Sequence, residues 1–265
     1  MRPCRRSHDQ SSATFLIALL LVGFVTILTF VVVSVAIVDI DNTLHASYIQ
    51  LTPIIVTYEL SFGLLLITGG RFGDLLDHRR TYRIGTLCFK VSSVFCGLSA
   101  NAGFLIVDRF LQGLSAAVLF PQIYASIRAD FDDTDARKAF GYLGMTLGVV
   151  AVTDQILGGL LISINFLDLQ WRTIFFINVP IGMVALYFSR QLKNVRPMRK
   201  QSLDWIGIAL SSIGISIALL PLLMISVWSW NFRSNVLLLT GLFTLYFFAH
   251  HENRYATTDT SHSWA

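Results

Sequence analysis

One arginine and two carboxylic acids stand inside long apolar runs: Arg109 in FLIVDRFLQGLSAAVLF, Glu59 in LTPIIVTYELSFGLLLI and Asp154 in LGVVAVTDQILGGLLI. A carboxyl group in such surroundings is pulled toward its neutral form by desolvation and toward its charged form by a neighbouring cation. That balance is what a reversible proton carrier needs, and Arg109 would be its fixed positive element. If the runs are helices, a rise of about 1.5 Å per residue places all three residues at a depth of about 8–15 Å from the same end. They can then line one polar chamber, with Gln112 one turn beyond Arg109. Two other arrangements fit the same residues. Arg109 can snorkel outward or pair with Asp108, and the acids can serve a static ion-pair lattice or face an interface. A second constellation, GGRFGDLLDHRRTYR at 69–83, sets Gly70, Asp74, Arg79 and Arg80 in the short hairpin between two apolar runs. A glycine there permits close helix approach, the aspartate can take a helix N-terminus or an arginine, and the arginine pair can grip phosphates and carbonyls.

The elements that must position these groups follow from composition. Hydrophobic residues make up 54% of the 265-residue chain and charged residues 14%, with a mean hydropathy of +0.63. A soluble globular domain does not carry this balance. In lipid every backbone polar group must be satisfied within the spanning segment, so about 20 apolar residues per helix are required. Eight segments approach that length: 14–38, 51–69, 84–100, 104–127, 140–164, 171–188, 206–228 and 236–249, the last also admitting an interfacial helix. The expected fold class is therefore all-α integral membrane with about eight spans.

A net charge of +4 would by itself permit a nucleic-acid partner, but the basic residues are sorted by side. With an inner N-terminus, the inner loops carry Arg71, Arg79, Arg80, Arg83, Arg128, Arg137, Lys138, Arg190, Lys193, Arg196, Arg199 and Lys200, and the outer loops only Arg172 and Arg233. This is the positive-inside pattern, so no nucleic acid is implied and both termini are expected in the cytoplasm. The first apolar run is too long for a signal-peptide core and reads as a retained span. Cys4, Cys88 and Cys96 form no CxxC pair and the histidines no HExxH pattern, so no disulfide, metal or cofactor is expected, and no paired acids or activated nucleophile point to an enzyme.

On its motifs the chain resembles the major facilitator superfamily. Gly70, Asp74, Arg79 and Arg80 fit most of its G-x-x-x-D-x-x-G-R-[KR] loop, although Asp77 stands for the usual glycine, Leu75 for an arginine and His78 for the next basic residue. Arg109, Gln112 and Gly113 match its R-x-x-Q-G pattern. GYLGMTLGVVAVTDQILGGLLIS resembles the fifth-span signature of the antiporters, with Gly144, Gly148, Gly158 and Gly159 as its small packing face and Asp154-Gln155 in place of Gly-Pro. Trp171, Arg172, Asn178, Pro180 and Gly182, with LDWIG at 203–207, are similar to the fourteen-span drug:proton branch. The resemblance implies a multi-pass cell (plasma or inner) membrane protein that exports amphipathic small molecules against inward proton flow, with the 69–83 hairpin as a conformational latch. In that branch the first span usually carries an Asp and an Asn, and Thr29 and Ser34 stand there instead.

Domain organisation follows the same likeness: a tail at 1–13, a six-helix bundle at 14–189, a basic linker at 190–205, two further helices at 206–250 and a polar tail at 251–265. Superfamily members hold substrate between two such bundles. The tail YATTDTSHSWA is unlike the family's continuation, so a truncated transporter is expected, its missing partner being a second transporter half or an oligomer. The alternative is a non-transporting membrane subunit or regulator that docks on another helix bundle.

Overall fold

The computed structural model describes residues 4–164, 169–191, 205–224 and 230–261, except for the side chains of 4–13, Asp74, Leu75, Asp154, Gln191, 205–206, 208–209 and 252–261. Ten helices account for nearly all of it: α1 (Cys4–Val35), α2 (Ile37–Leu44), α3 (Tyr48–Leu76), α4 (His78–Leu98), α5 (Ala102–Asp130), α6 (Asp133–Ile164), α7 (Thr173–Phe176), α8 (Asn178–Phe188), α9 (Trp205–Leu223) and α10 (Phe232–Ser261). The starts are coded locally. Ser47 and Gln50 form a capping box on α3, and Asn101 Oδ1 accepts from the Phe104 amide at 3.0 Å to open α5. Asp133 and Asp135 lie in the first turn of α6, where the helix dipole favours acids.

Five stretches are long and apolar enough to cross a bilayer: Thr14–Val35, Tyr48–Gly73, Ala102–Asp130, Gln170–Phe188 and Phe232–His251. A sixth results if Asp133–Thr153 and Gln155–Ile164, bent by 61° to one another, form one span. The protein is thus an all-α multi-pass membrane protein with five to six such helices among the described residues, not a clear set of eight. The expected span 84–100 falls in α4, which dilutes its apolar residues with Arg79, Arg80, Arg83, Lys90 and several hydroxyls. The expected span 206–228 falls in α9, Trp205–Leu223, and its last part, 225–229, lies outside the described residues. The linker at 192–204 and the end of the tail, 262–265, lie outside them too.

Helix α3 holds the middle of the assembly, packed against α5 on one side and α9 on the other; α5 also packs on α4, α1 on α6 and α8, and α9 on α10. Two apolar clusters fill the interior. One gathers Phe15, Leu19, Tyr58, Phe89, Leu119 and Ile123, the other Val32, Ile40, Ile54, Leu105, Trp171 and Phe175. On α1, α4 and α5 alike the chain passes from one cluster to the other across buried polar residues: Thr26 and Thr29, Ser93, and Arg109 with Gln112. The functional groups therefore sit at the seam. Outward faces are apolar, as at Leu87, Val91, Phe95 and Leu98 on α4 or Leu239 and Phe243 on α10. Such surfaces are a liability in water and ordinary against lipid.

Candidate functional site

The Arg109 side chain is 0% exposed. It points neither to lipid nor to Asp108, which accepts from Ser99 Oγ at 2.7 Å instead. Its Nε donates to the Ile54 carbonyl at 3.2 Å, and its Nη1 donates to the Thr29 carbonyl at 3.2 Å and to Gln112 Oε1 at 3.0 Å. The guanidinium carbon lies 4.2 Å from the Tyr58 ring centre and 6.0 Å from that of Phe175. A desolvated cation over an aromatic face recovers roughly 2 kcal/mol. Nη2 is buried with no hydrogen-bond partner among the described residues. Among the described residues every acceptor that touches this guanidinium is neutral, and dipoles and rings surround the charge.

Around it runs a network that ties five helices. Gln112 Nε2 donates to Ser93 Oγ at 2.8 Å, and Ser93 Oγ donates to the Phe89 carbonyl at 2.7 Å. Asn178 Nδ2 reaches both Ser93 Oγ at 3.1 Å and Thr29 Oγ1 at 3.0 Å. Tyr58 Oη donates to the Thr26 carbonyl at 3.0 Å. Sequence reasoning noted Thr29 and Asn178 only as motif positions and missed Ser93 and Tyr58 altogether. The available signal was a small polar residue at the seam of each helix, which periodicity alone does not separate from a satisfied core hydroxyl.

Glu59 follows Tyr58 on α3 and is half-buried, and it is not among the hydrogen-bond partners of Arg109. Asp154 lies in α6 at the bend between its two parts, and its side chain is outside the described residues, as is that of Asp74. Ser34 is exposed and donates to the Val31 carbonyl at 2.7 Å, away from the network.

In the hairpin, a single residue joins α3 to α4. The Asp77 amide closes α3 on the Gly73 carbonyl at 3.1 Å while its carbonyl accepts from the Thr81 amide at 2.9 Å to open α4. Serving both helices forces φ to 86°, a conformation that suits glycine and strains any other residue. The Asp77 carboxylate accepts from the Arg79 amide at 3.3 Å, which makes it the cap of α4. Arg79 Nη2 donates to the Arg190 carbonyl at 2.9 Å, His78 Nδ1 meets Gln122 Oε1 at 2.9 Å, and Gln122 Nε2 donates to the Gly69 carbonyl at 2.8 Å. Arg80 is exposed.

The close approach of α3 and α5 rests on two glycines. A Cβ on Gly113 would run into Ser61 Oγ and the Tyr58 carbonyl, and one on Gly69 into the Ala117 carbonyl. Gly70, the motif glycine, makes only an ordinary contact, 3.8 Å from Pro121. Gly158 packs on Val32 and Val35, but a Cβ on Gly144, Gly148 or Gly159 would meet nothing within 4 Å. Most of the glycine face of α6 thus packs on none of this chain's described helices, where the sequence suggests tight packing. Among the described residues no group of three His, Cys, Asp or Glu side chains can hold a metal ion.

Comparison with known proteins agrees with this architecture. A family model described as "Major Facilitator Superfamily" matches residues 19–258. The chain is 32% identical over 225 residues to the "Probable actinorhodin transporter" of Streptomyces coelicolor, covering 84% of this chain and 39% of that protein. It is 33% identical over 202 residues to the "Tetracenomycin C resistance and export protein" of Streptomyces glaucescens, covering 76% and 37%. The chain thus spans about two fifths of the length of these curated relatives. In fold it is similar to the crystal structure of a bacterial homologue of the human lysosomal transporter Spinster, inward-facing and unoccupied, with a TM-score of 0.63 at 18% identity over 87% of this chain and 59% of that one.

Proposed function

Because the chain belongs to the Major Facilitator Superfamily, we propose that it works as the N-terminal part of a fourteen-span drug:proton antiporter that exports amphipathic small molecules. The names of two relatives, a "Tetracenomycin C resistance and export protein" and a "Probable actinorhodin transporter", support the substrate class. On this reading α4 and α9 also cross the bilayer, bringing the spans to eight with both termini in the cytoplasm. A multi-pass helical membrane protein of this family is consistent with residence in the plasma or inner membrane, and the family with a role other than catalysis.

One observation carries the mechanism: a wholly buried guanidinium whose acceptors among the described residues are all neutral. Such a charge favours an anionic form of any nearby acid and disfavours a second cation. Arg109 is the fixed charge, Glu59 and Asp154 the carboxyls that take and release the proton, and Gln112 the group that aims the guanidinium. A carboxylate drawn toward Arg109 and a protonated one released from it bias helix positions differently, which is the differential interaction that alternating access requires. Gly70, Asp74, Arg79 and Arg80 form the cytoplasmic latch toward a second bundle.

The test is substrate-driven proton movement in inverted membrane vesicles containing this chain together with a second six-helix half. Glu59→Gln and Asp154→Asn should abolish or shift the pH dependence of export. Unchanged pH dependence in both variants eliminates the carboxyl assignment.

A further inference from the structure

Outside the network, the chain has an open groove of about 460 Å³ between α4 and α8, lined by Arg83, Ile84, Leu87, Lys90, Met183, Leu186, Tyr187 and Arg190. Three cations line it and, among the described residues, no acid does. We propose that this groove binds the headgroup of an anionic phospholipid, with Arg83, Lys90 and Arg190 gripping its phosphate oxygens and the apolar lining receiving the upper acyl chains.

Position, shape and charge each support that occupant. The outer face of α4 is an apolar stripe, with Ile84, Leu87, Val91, Phe95 and Leu98 all exposed, so the groove opens onto lipid rather than onto the buried network. Arg83 lies one turn from the loop end of α4 and Lys90 about 10 Å farther along the helix. Lys90 is half-buried, and its stem passes Gly182, where a built Cβ would touch its carbons at 3.5–3.6 Å. The ammonium on a flexible stem can therefore reach back toward a phosphate held at the level of Arg83. Arg190 is fixed from two sides: its carbonyl accepts from Arg79 at 2.9 Å, and its guanidinium sits 5.8 Å from the Tyr187 ring centre. Cations grouped with an apolar wall at the end of a helix pair are the chemistry that selects an anionic headgroup over a zwitterionic one. A volume of a few hundred cubic ångströms is of the size that ordered small-molecule sites occupy. That the groove faces the cytoplasmic leaflet rests on the topology proposed above; its selectivity for anionic lipid does not.

The experiment is native mass spectrometry of the purified full chain in detergent with dioleoyl phosphatidylglycerol or dioleoyl phosphatidylcholine. One phosphatidylglycerol adduct should persist to activation energies that strip phosphatidylcholine. Each basic group near a membrane surface gives about a fivefold gain for anionic lipid, so R83Q/K90Q/R190Q should lose at least about tenfold in retained adduct, while R128Q/R137Q, at the foot of α5 and α6, should behave as the parent. Equal retention of the two lipids, an unaltered triple variant, an equal loss in the control pair, or displacement of the adduct by millimolar inorganic phosphate would each overturn the proposal. Since the triple variant can fail to fold, the unaltered chain is also irradiated with a photoactivatable phosphatidylglycerol. Labelled peptides should come from α4 around Leu87 and α8 around Met183, and labelling confined to other helices would refute the site.

Discussion

Asp77 gives a test in which the sign of the effect is fixed by one torsion angle. The residue is held at φ 86°, ψ 125° because it alone joins two helices. Such a conformation in a residue with a Cβ stores about 2 kcal/mol. Replacing Asp77 by glycine releases that strain, loosens the unfolded chain by about 0.7 kcal/mol and weakens the cap on the Arg79 amide by a few tenths. The net expectation for Asp77→Gly is stabilisation by about 1 kcal/mol. Asp77→Ala keeps the Cβ and its strain but removes the capping oxygen, a loss of about 1 kcal/mol. The two variants should therefore straddle the parent and differ by about 2 kcal/mol, which for a chain of this length is roughly 4–8 °C in thermal midpoint. Thermal unfolding of the purified chain in a mild detergent, followed by far-ultraviolet circular dichroism, reads this difference directly. An alanine variant as stable as the glycine variant, or a glycine variant below the parent, would show that the hairpin is not strained at this position.

Two further expectations use the interior. Gln112→Leu removes the acceptor of a charged donor and the donor to Ser93, so it should destabilise the chain by about 2–4 kcal/mol. Gln112→Glu, which keeps an acceptor for Arg109, should lose less, and equal midpoints for these two variants would argue against a role for that bond. Gly113→Ala forces a methyl onto the Tyr58 carbonyl and Ser61, for a loss of about 1–3 kcal/mol, whereas Gly148→Ala enters open space and should stay within about 0.5 kcal/mol of the parent. The yield of monodisperse protein on gel filtration, together with the midpoints, separates them, and similar behaviour of the two would mean that α3 and α5 do not touch as described.

Much of the fold was legible in the sequence because lipid leaves few choices. A run such as that of α1 must be helical to satisfy its own backbone, and a side-sorted set of arginines suggests which ends of the helices meet. The cost of Arg109 in an apolar run likewise announced a special residue before any coordinate was known. The sequence also showed Asp77 where the family has glycine, although not that the position carries a positive φ. Tertiary structure decided the rest. Which acceptors hold the guanidinium depends on three carbonyl and amide oxygens, on α1, α3 and α5, and a main-chain oxygen leaves no trace in residue type. Ser93 and Asn178 read as ordinary polar residues until five helices converge on them. Depth along a helix is a local property that spacing reveals; the partner across the seam is set by how helices rotate against one another, and that rotation is fixed by contacts far apart in the chain, such as Gly113 against Tyr58.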